Sequence, residues 1–270
     1  MQQRLIDANR IVDDILHAPK YYFKEFEVTT KKEWKAAFCA SYKSSGDDVH
    51  WKEGRSGECL AEDFIGTGGN GEQSIIDFIN RILSPKSISL ETAQIEYPSV
   101  FDNHPRPRIQ DLAMWGSADN ESIFVGVEAK VDEPFGSKTV AQQRKYVNGL
   151  TKTEADKRLD ELVNNYLGGD EEAHGKLRYQ LLYYLAGSFC EKKANIIFMP
   201  VIVYKSRGIY FNEYSDRKGK ANEKAYTNFM TALGFTRMKD VEGGEIMMAF
   251  HKRILAHGLE KDIYSCYIVK

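Results

Sequence analysis

The sequence predicts an α/β fold whose centre runs helix, three successive strands, helix and strand, with a helical addition before it and a mixed one after. Three observations carry that prediction. Aromatic residues are plentiful, with 15 Tyr and 14 Phe, so the chain can bury a core. Three apolar runs bounded by turn residues follow one another between residues 89 and 130. An aromatic helical stretch then leads into the apolar strand NIIFMPVIVYK. No domain boundary is written in the 270 residues. They read as a single domain with a core at about 66–206, an N-terminal extension over 1–65 and a C-terminal addition over 207–270.

Taken in order, residues 2–17 place Leu5, Ile6, Ile11, Val12, Ile15 and Leu16 near helical spacing, with Pro19 as a stop. A short strand around Lys24–Val28 and a helix over 31–43 follow. The stretch HWKEGRSGECLAEDFI, residues 50–65, opens as a loop and runs into a helix. A glycine-rich loop, IGTGGNG, precedes an amphipathic helix over 73–83, and no Lys-Ser or Lys-Thr follows its last glycine, so it is not a Walker loop. The three strands cover 89–100, 108–116 and 122–130, and the short linker SADNE makes the last two an antiparallel hairpin. A charged stretch over 136–172 contains the helix KTEADKRLDELVNNYL. The aromatic helix spans 174–193 and the next strand 195–205, after which a helix near 221–233 and short strands complete the chain.

The formal net charge of −2 excludes a protein that holds nucleic acid by overall charge, so any basic surface must be local. The four cysteines lie far apart without a CxxC pair, which argues against a zinc site or a disulfide framework and for reduced thiols. The N-terminal segment is too charged for a signal peptide and no apolar run is long enough to span a membrane, so the expected compartment is cytoplasmic, with no membrane partner. Neither HExxH nor GxSxG is present.

Chemistry is written at the end of the third strand, where SIFVGV runs into EAKVDEPFG. Alternation aims Glu128 and Lys130 at one face and Val127 and Ala129 at the other. A turn centred on Ala118 and Asp119 would set Asp111 opposite Gly126, on the same face as Glu128. Two adjacent carboxylates repel unless a shared cation offsets them, and oxygen ligands suit magnesium or manganese. Lys130 beside them would orient an attacking water or neutralise a phosphorane, a constellation suited to phosphodiester hydrolysis. The competing reading is a strand-end Glu and Lys forming a solvated ion pair of little energetic weight.

Asp111 followed by Glu128-Ala129-Lys130 resembles the PD-(D/E)XK nuclease superfamily, with its restriction-endonuclease-like core of helix, three-stranded antiparallel meander, helix and strand. Gln110 stands where the family pattern has Pro. The resemblance implies a Mg2+-dependent nuclease, with Mn2+ as a possible substitute, acting on DNA in restriction, repair or mobile-element defence. It implies Asp111, Glu128 and the Ala129 carbonyl as metal ligands, Lys130 as the water-orienting residue, and Gln180 of RYQLLYYL as an assisting residue, with Tyr184 four positions on. Gln180 could equally be a helix-surface amide. Glu72 matches the extra acidic ligand that many members carry on the first core helix, with Glu62 and Asp77 as alternatives. It could instead be a favourable charge at a helix N-terminus.

Nucleic-acid contacts are expected from Arg106 and Arg108 immediately before the Asp111 strand, and from Arg178 and Tyr184 around Gln180. The alternative is a non-catalytic nucleic-acid-binding or structural protein that keeps the same fold. The sequence leaves oligomeric state open, a homodimer being compatible with it.

Overall fold

A computed structural model describes residues 19–41, 51–148, 154–205 and 216–270. The helix expected over residues 2–17 lies outside the described residues. Nine strands among those described are β1 (Lys20–Phe23), β2 (Phe26–Glu27), β3 (Ile88–Ser99), β4 (Arg108–Ala118), β5 (Glu121–Lys130), β6 (Ile196–Val203), β7 (Thr236–Arg237), β8 (Ile246–Ala256) and β9 (Leu259–Val269). The helices are α1 (Lys31–Ser41), α2 (Ser56–Ile65), α3 (Gly71–Leu83), α4 (Val140–Asn148), α5 (Glu154–Tyr166), α6 (Glu171–His174), α7 (Tyr179–Phe189) and α8 (Asp216–Ala232).

The strands form one mixed sheet in the order β2-β1-β3-β4-β5-β6-β9-β8-β7. The α/β class and the order helix, three strands, helices, strand stand as expected. β3, β4 and β5 pair antiparallel, and β5 pairs parallel with β6 after a crossover through α4 to α7. Strand β6 has neighbours on both edges and helices on both faces, which is why IIFMPVIV is apolar throughout. Its second neighbour is β9, from the C-terminal segment, so that segment enters the middle of the sheet.

Two cores flank the sheet. Leu112, Val127 and Ala129 pack with α1, α2 and α3 on one face, while Ala113, Phe124 and Val201 pack with α4, α5, α7 and α8 on the other. The strand expected around Lys24–Val28 is a hairpin instead. Phe23 pairs with Phe26, and Lys24 at φ 55° takes the left-handed conformation of the turn. The helix expected within the charged stretch forms as α5, and Leu159, Leu162, Val163 and Tyr166 bury one stripe of it.

Candidate active site

The β4–β5 hairpin turns one residue later than the sequence suggests. Ala118 pairs with Glu121, so Asp119 and Asn120 form the turn, and Asp119 adopts φ 53° while its Oδ1 accepts from the Lys86 and Ser87 amides. The register therefore moves by two, and its continuation sets Asp111 opposite Glu128 rather than Gly126. A shift of two keeps every side chain on its face, whereas a shift of one would have separated the carboxylates.

The β4–β5 ladder ends at Leu112 and Val127, but β5 continues to Lys130 against β6. Beyond the last rung, the Ala129 amide donates to Asp111 Oδ2 at 2.7 Å instead of to a backbone carbonyl. In a strand, N–H and C=O of one residue face the same neighbour, so the Ala129 carbonyl faces the same opening. A hollow of about 400 Å3 sits there, and its lining includes Glu96, Arg108, Asp111, Glu128, Lys130 and Gln180.

Glu128 is the hub. Lys130 Nζ donates to its Oε1 at 2.5 Å, Gln180 Nε2 donates to the same oxygen at 2.7 Å, and Arg108 Nη2 donates to Oε2. Glu128 is 1% exposed, with Lys130 and Arg108 each at 7%, so these charges meet at low dielectric and bind firmly only because each is paired. Burial acts to raise the Glu128 pKa, but Arg108 and Lys130 outweigh it and hold the carboxyl below its usual range. Asp111 goes the other way: burial first, then the Glu128 charge, push it up to about 7 despite Lys130 and Arg108. Burial also acts to depress the Lys130 pKa, yet Glu128 and Asp111 raise it, so the amine stays an ammonium.

Gln180 faces Glu128 because α7 lies directly on the strands, and glycine permits that approach. A Cβ on Gly187 would stand 2.9 Å from Arg108 Cγ and 3.2 Å from Gln110 Nε2. Gln110 itself is buried, its Nε2 donating to Ser188 Oγ at 3.2 Å.

Several expected residues are placed elsewhere. Glu72 lies at the start of α3 beside a different hollow, near Tyr21, whose hydroxyl pKa is raised by burial and by the Glu72 and Asp63 charges. It does not join Asp111 and Glu128. Glu62 pairs with Lys31 at 3.0 Å, and Asp77 accepts from Gln73. Arg108 is an internal ion-pair partner rather than a surface contact. Tyr184 is buried too, its hydroxyl donating to the Gly126 carbonyl, with the Pro200 carbonyl also in reach at 3.1 Å. Arg106 is exposed in the loop before β4, outside the lining of the hollow, and Tyr183 Oη donates to its carbonyl at 3.1 Å. Arg178 precedes α7 and lines an adjoining hollow with Arg55 and Lys218.

Sequence reasoning passed over Glu96. It is buried on β3 at φ 50° and falls between the rungs Ile95–Leu112 and Tyr97–Gln110, next to Asp111 in the row that continues to Glu128. A left-handed glutamate in mid-strand is a strained conformation of the kind that collects at functional sites. Just past the end of β5, Asp132 and Glu133 are both held in ion pairs. Asp132 is buried, held by Arg55 at 2.6 Å and Lys218 at 2.8 Å, and Glu133 takes Arg55 at 3.3 Å.

The family model of a domain of unknown function, DUF6946, matches residues 27–253. The chain belongs to this family. No curated protein and no solved structure matches it. In this DUF6946 domain the match begins in the β1–β2 hairpin and ends in β8, taking in every site residue described above. No helix among its described residues is long and apolar enough to cross a membrane.

As donors for a cation, Asp111, Glu128 and the Ala129 carbonyl offer oxygen only, which is the chemistry of a hard divalent ion. Burial first, and the Glu128 charge after it, disfavour the ionised Asp111 carboxylate, and a cation beside it would favour that form. In kind, then, the donors fit Mg2+ or Mn2+. Among the described residues no group of three or more His, Cys, Asp and Glu side chains stands gathered for a metal.

Proposed function

We propose that this protein hydrolyses phosphodiester bonds of DNA as a metal-dependent nuclease with a restriction-endonuclease-like core, by resemblance to the PD-(D/E)XK superfamily. One observation carries the reading: Asp111, Glu128, Lys130 and Gln180 converge where the β4–β5 ladder opens and β5 runs on beside the parallel strand β6. Asp111, Glu128 and the Ala129 carbonyl are the residues that would hold Mg2+ or Mn2+. Bound there, such an ion supplies Lewis-acid polarisation of the phosphate and of water.

In the hydrolysis a water oxygen bonds to phosphorus as the bond from phosphorus to the leaving oxygen breaks. The water gives up one proton and the leaving oxygen takes one. Lys130, kept as an ammonium by its two carboxylate neighbours, donates hydrogen bonds and offsets charge on the phosphate oxygens, and cannot serve as the base. Gln180 fixes the Glu128 carboxylate through its amide, and Arg108 fixes the other oxygen.

The purified full-length chain is expected to cleave DNA with Mg2+ or Mn2+ and to stop with EDTA, Asp111→Ala and Lys130→Ala being inactive while folded. One observation favours a second reading, a nucleic-acid-binding protein without activity: Arg108 and Lys130 already match the charges of Asp111 and Glu128 in number. Wild type and both variants equally inactive with either metal, yet binding DNA, would establish that reading instead.

A further inference from the structure

The side chains that would meet the substrate are deep, and helices α1 and α2 stand over one side of them. Trp34 and Phe38 of α1, with Gly57 and Leu60 of α2, line the same hollow as Asp111, Glu128 and Lys130. The wall is anchored to the floor. Arg55, at the head of α2, binds Asp132 at 2.6 Å and Glu133 at 3.3 Å, two and three residues beyond Lys130. Lys31 of α1 ties back to Glu62 of α2 at 3.0 Å. The Phe38 ring rests against Gly57, where any added Cβ would meet its Cε2 at 2.8 Å, and its neighbour Trp51 packs edge-on at 5.3 Å.

The space of about 400 Å3 falls in the range of pockets for small ligands, enough for one nucleotide-sized group. A double helix presents its phosphates on a broad, stiff, convex surface. Such a surface cannot bring a phosphate to Glu128 and Lys130, which are 1% and 7% exposed, while α1 and α2 stay clamped. A single strand can bend in. Its phosphate would find Lys130 within and the exposed Lys52 at the rim, and its base would meet the Phe38 ring where it lines the hollow.

We infer that the substrate this site takes is a single strand of DNA, threaded between the α1–α2 wall and the ends of β4 and β5, with one base against Phe38. The inference rests on the nuclease reading for its chemistry, but strand preference is a matter of binding and is measured apart from cleavage. The test compares a labelled unstructured oligonucleotide with the same oligonucleotide annealed to its complement, by fluorescence anisotropy at fixed salt without divalent cations. Affinity for the single strand is expected to be at least about tenfold higher, and Phe38→Leu, which keeps an apolar side chain against Gly57, to weaken it about fivefold or more with unchanged circular dichroism. Equal affinities, tighter duplex binding, no binding, or an unaffected Phe38→Leu overturns the inference. Cleavage of the two substrates with Mg2+ is the separate arm: failure of both to be cut removes the nuclease reading and leaves the strand preference standing on the binding result.

Discussion

Asp111 and Glu128 are neighbours with opposite electrostatic fates, and the difference has a measurable consequence. Glu128 owns both cations by direct contact, so its folded pKa is depressed and its contribution is lost only as pH falls below the ordinary carboxylate range. Asp111 has a folded value near 7, above its unfolded one, so the folded state binds the extra proton between about pH 4 and pH 7. Its contribution is present at acid pH and lost as pH rises through 7. In chelator, wild-type stability should therefore decline from pH 5 to pH 8, and Asp111→Asn should flatten that decline, raising Tm relative to wild type more at pH 8 than at pH 5. A parallel pair of Tm profiles would show the assignment to be wrong. Tyr184 sets a second case. Pro200 lacks the amide that a parallel ladder would aim at the Gly126 carbonyl, and the Tyr184 hydroxyl donates there instead. Tyr184→Phe leaves that buried carbonyl unpaired and should cost about 1–3 kcal/mol in urea unfolding, with no more than a small change in DNA affinity. The common face of Asp111, Glu128 and Lys130 was legible because strand alternation survives an error of two in register. Glu96 and Asp132 were not. The left-handed backbone of Glu96 is imposed by its place among the strands, and the partners of Asp132 lie 77 and 86 residues away in sequence.

Helix α7 gathers much of the site on one side. Gln180, Tyr184, Gly187 and Ser188 recur at helical spacing and all meet the sheet, through Glu128, Gly126, Arg108 and Gln110 in turn. The Gln-to-Tyr spacing was readable in RYQLLYYL, but the role of Gly187 was not, since nothing local distinguishes a glycine that makes room from one that merely weakens a helix. Here it makes room: Arg108 passes through the space a methyl group would fill. Gly187→Ala adds helix propensity worth up to about 1 kcal/mol, yet forces Arg108 or the helix to move, and overpacking of that kind costs about 1–3 kcal/mol. A net loss of stability is expected, with Gln180 lifted from Glu128 and activity reduced beyond what the stability change explains. Because the atoms in the way are Arg108 Cβ and Cγ, close to the backbone, little can yield without moving the strand or the helix; a Gly187→Ala protein at least as stable as wild type would contradict this account.

At the scale of the whole molecule, the segments on either side of residues 66–206 are structural members of one sheet. The sequence marks 66–206 as a core because helix, strands, helix and strand all fall inside it, but periodicity along the chain says nothing about which strand lies beside β6. Its outer edge is covered by β9 from Ile196–Asp262 to Val203–Val269, and β9 is reached only through residues beyond 206. The N-terminal segment closes the other side, β1 pairing with β3 and Arg55 reaching Asp132 where Lys218 arrives from α8. Cutting the chain to 66–206 would expose a fully apolar parallel strand as a long, flat edge, strip the α1–α2 wall from the hollow, and leave Asp132 buried without either cation. Unpaired apolar edges of that sort drive strand-to-strand aggregation. The fragment is accordingly expected in the insoluble fraction, or soluble only as aggregate with no cooperative melting transition, while the full chain melts in one step. A fragment that refolds cooperatively and keeps metal-dependent cleavage would show that the additions ornament an autonomous core; the continuous ladder from β5 through β6 to β9 argues that they complete it.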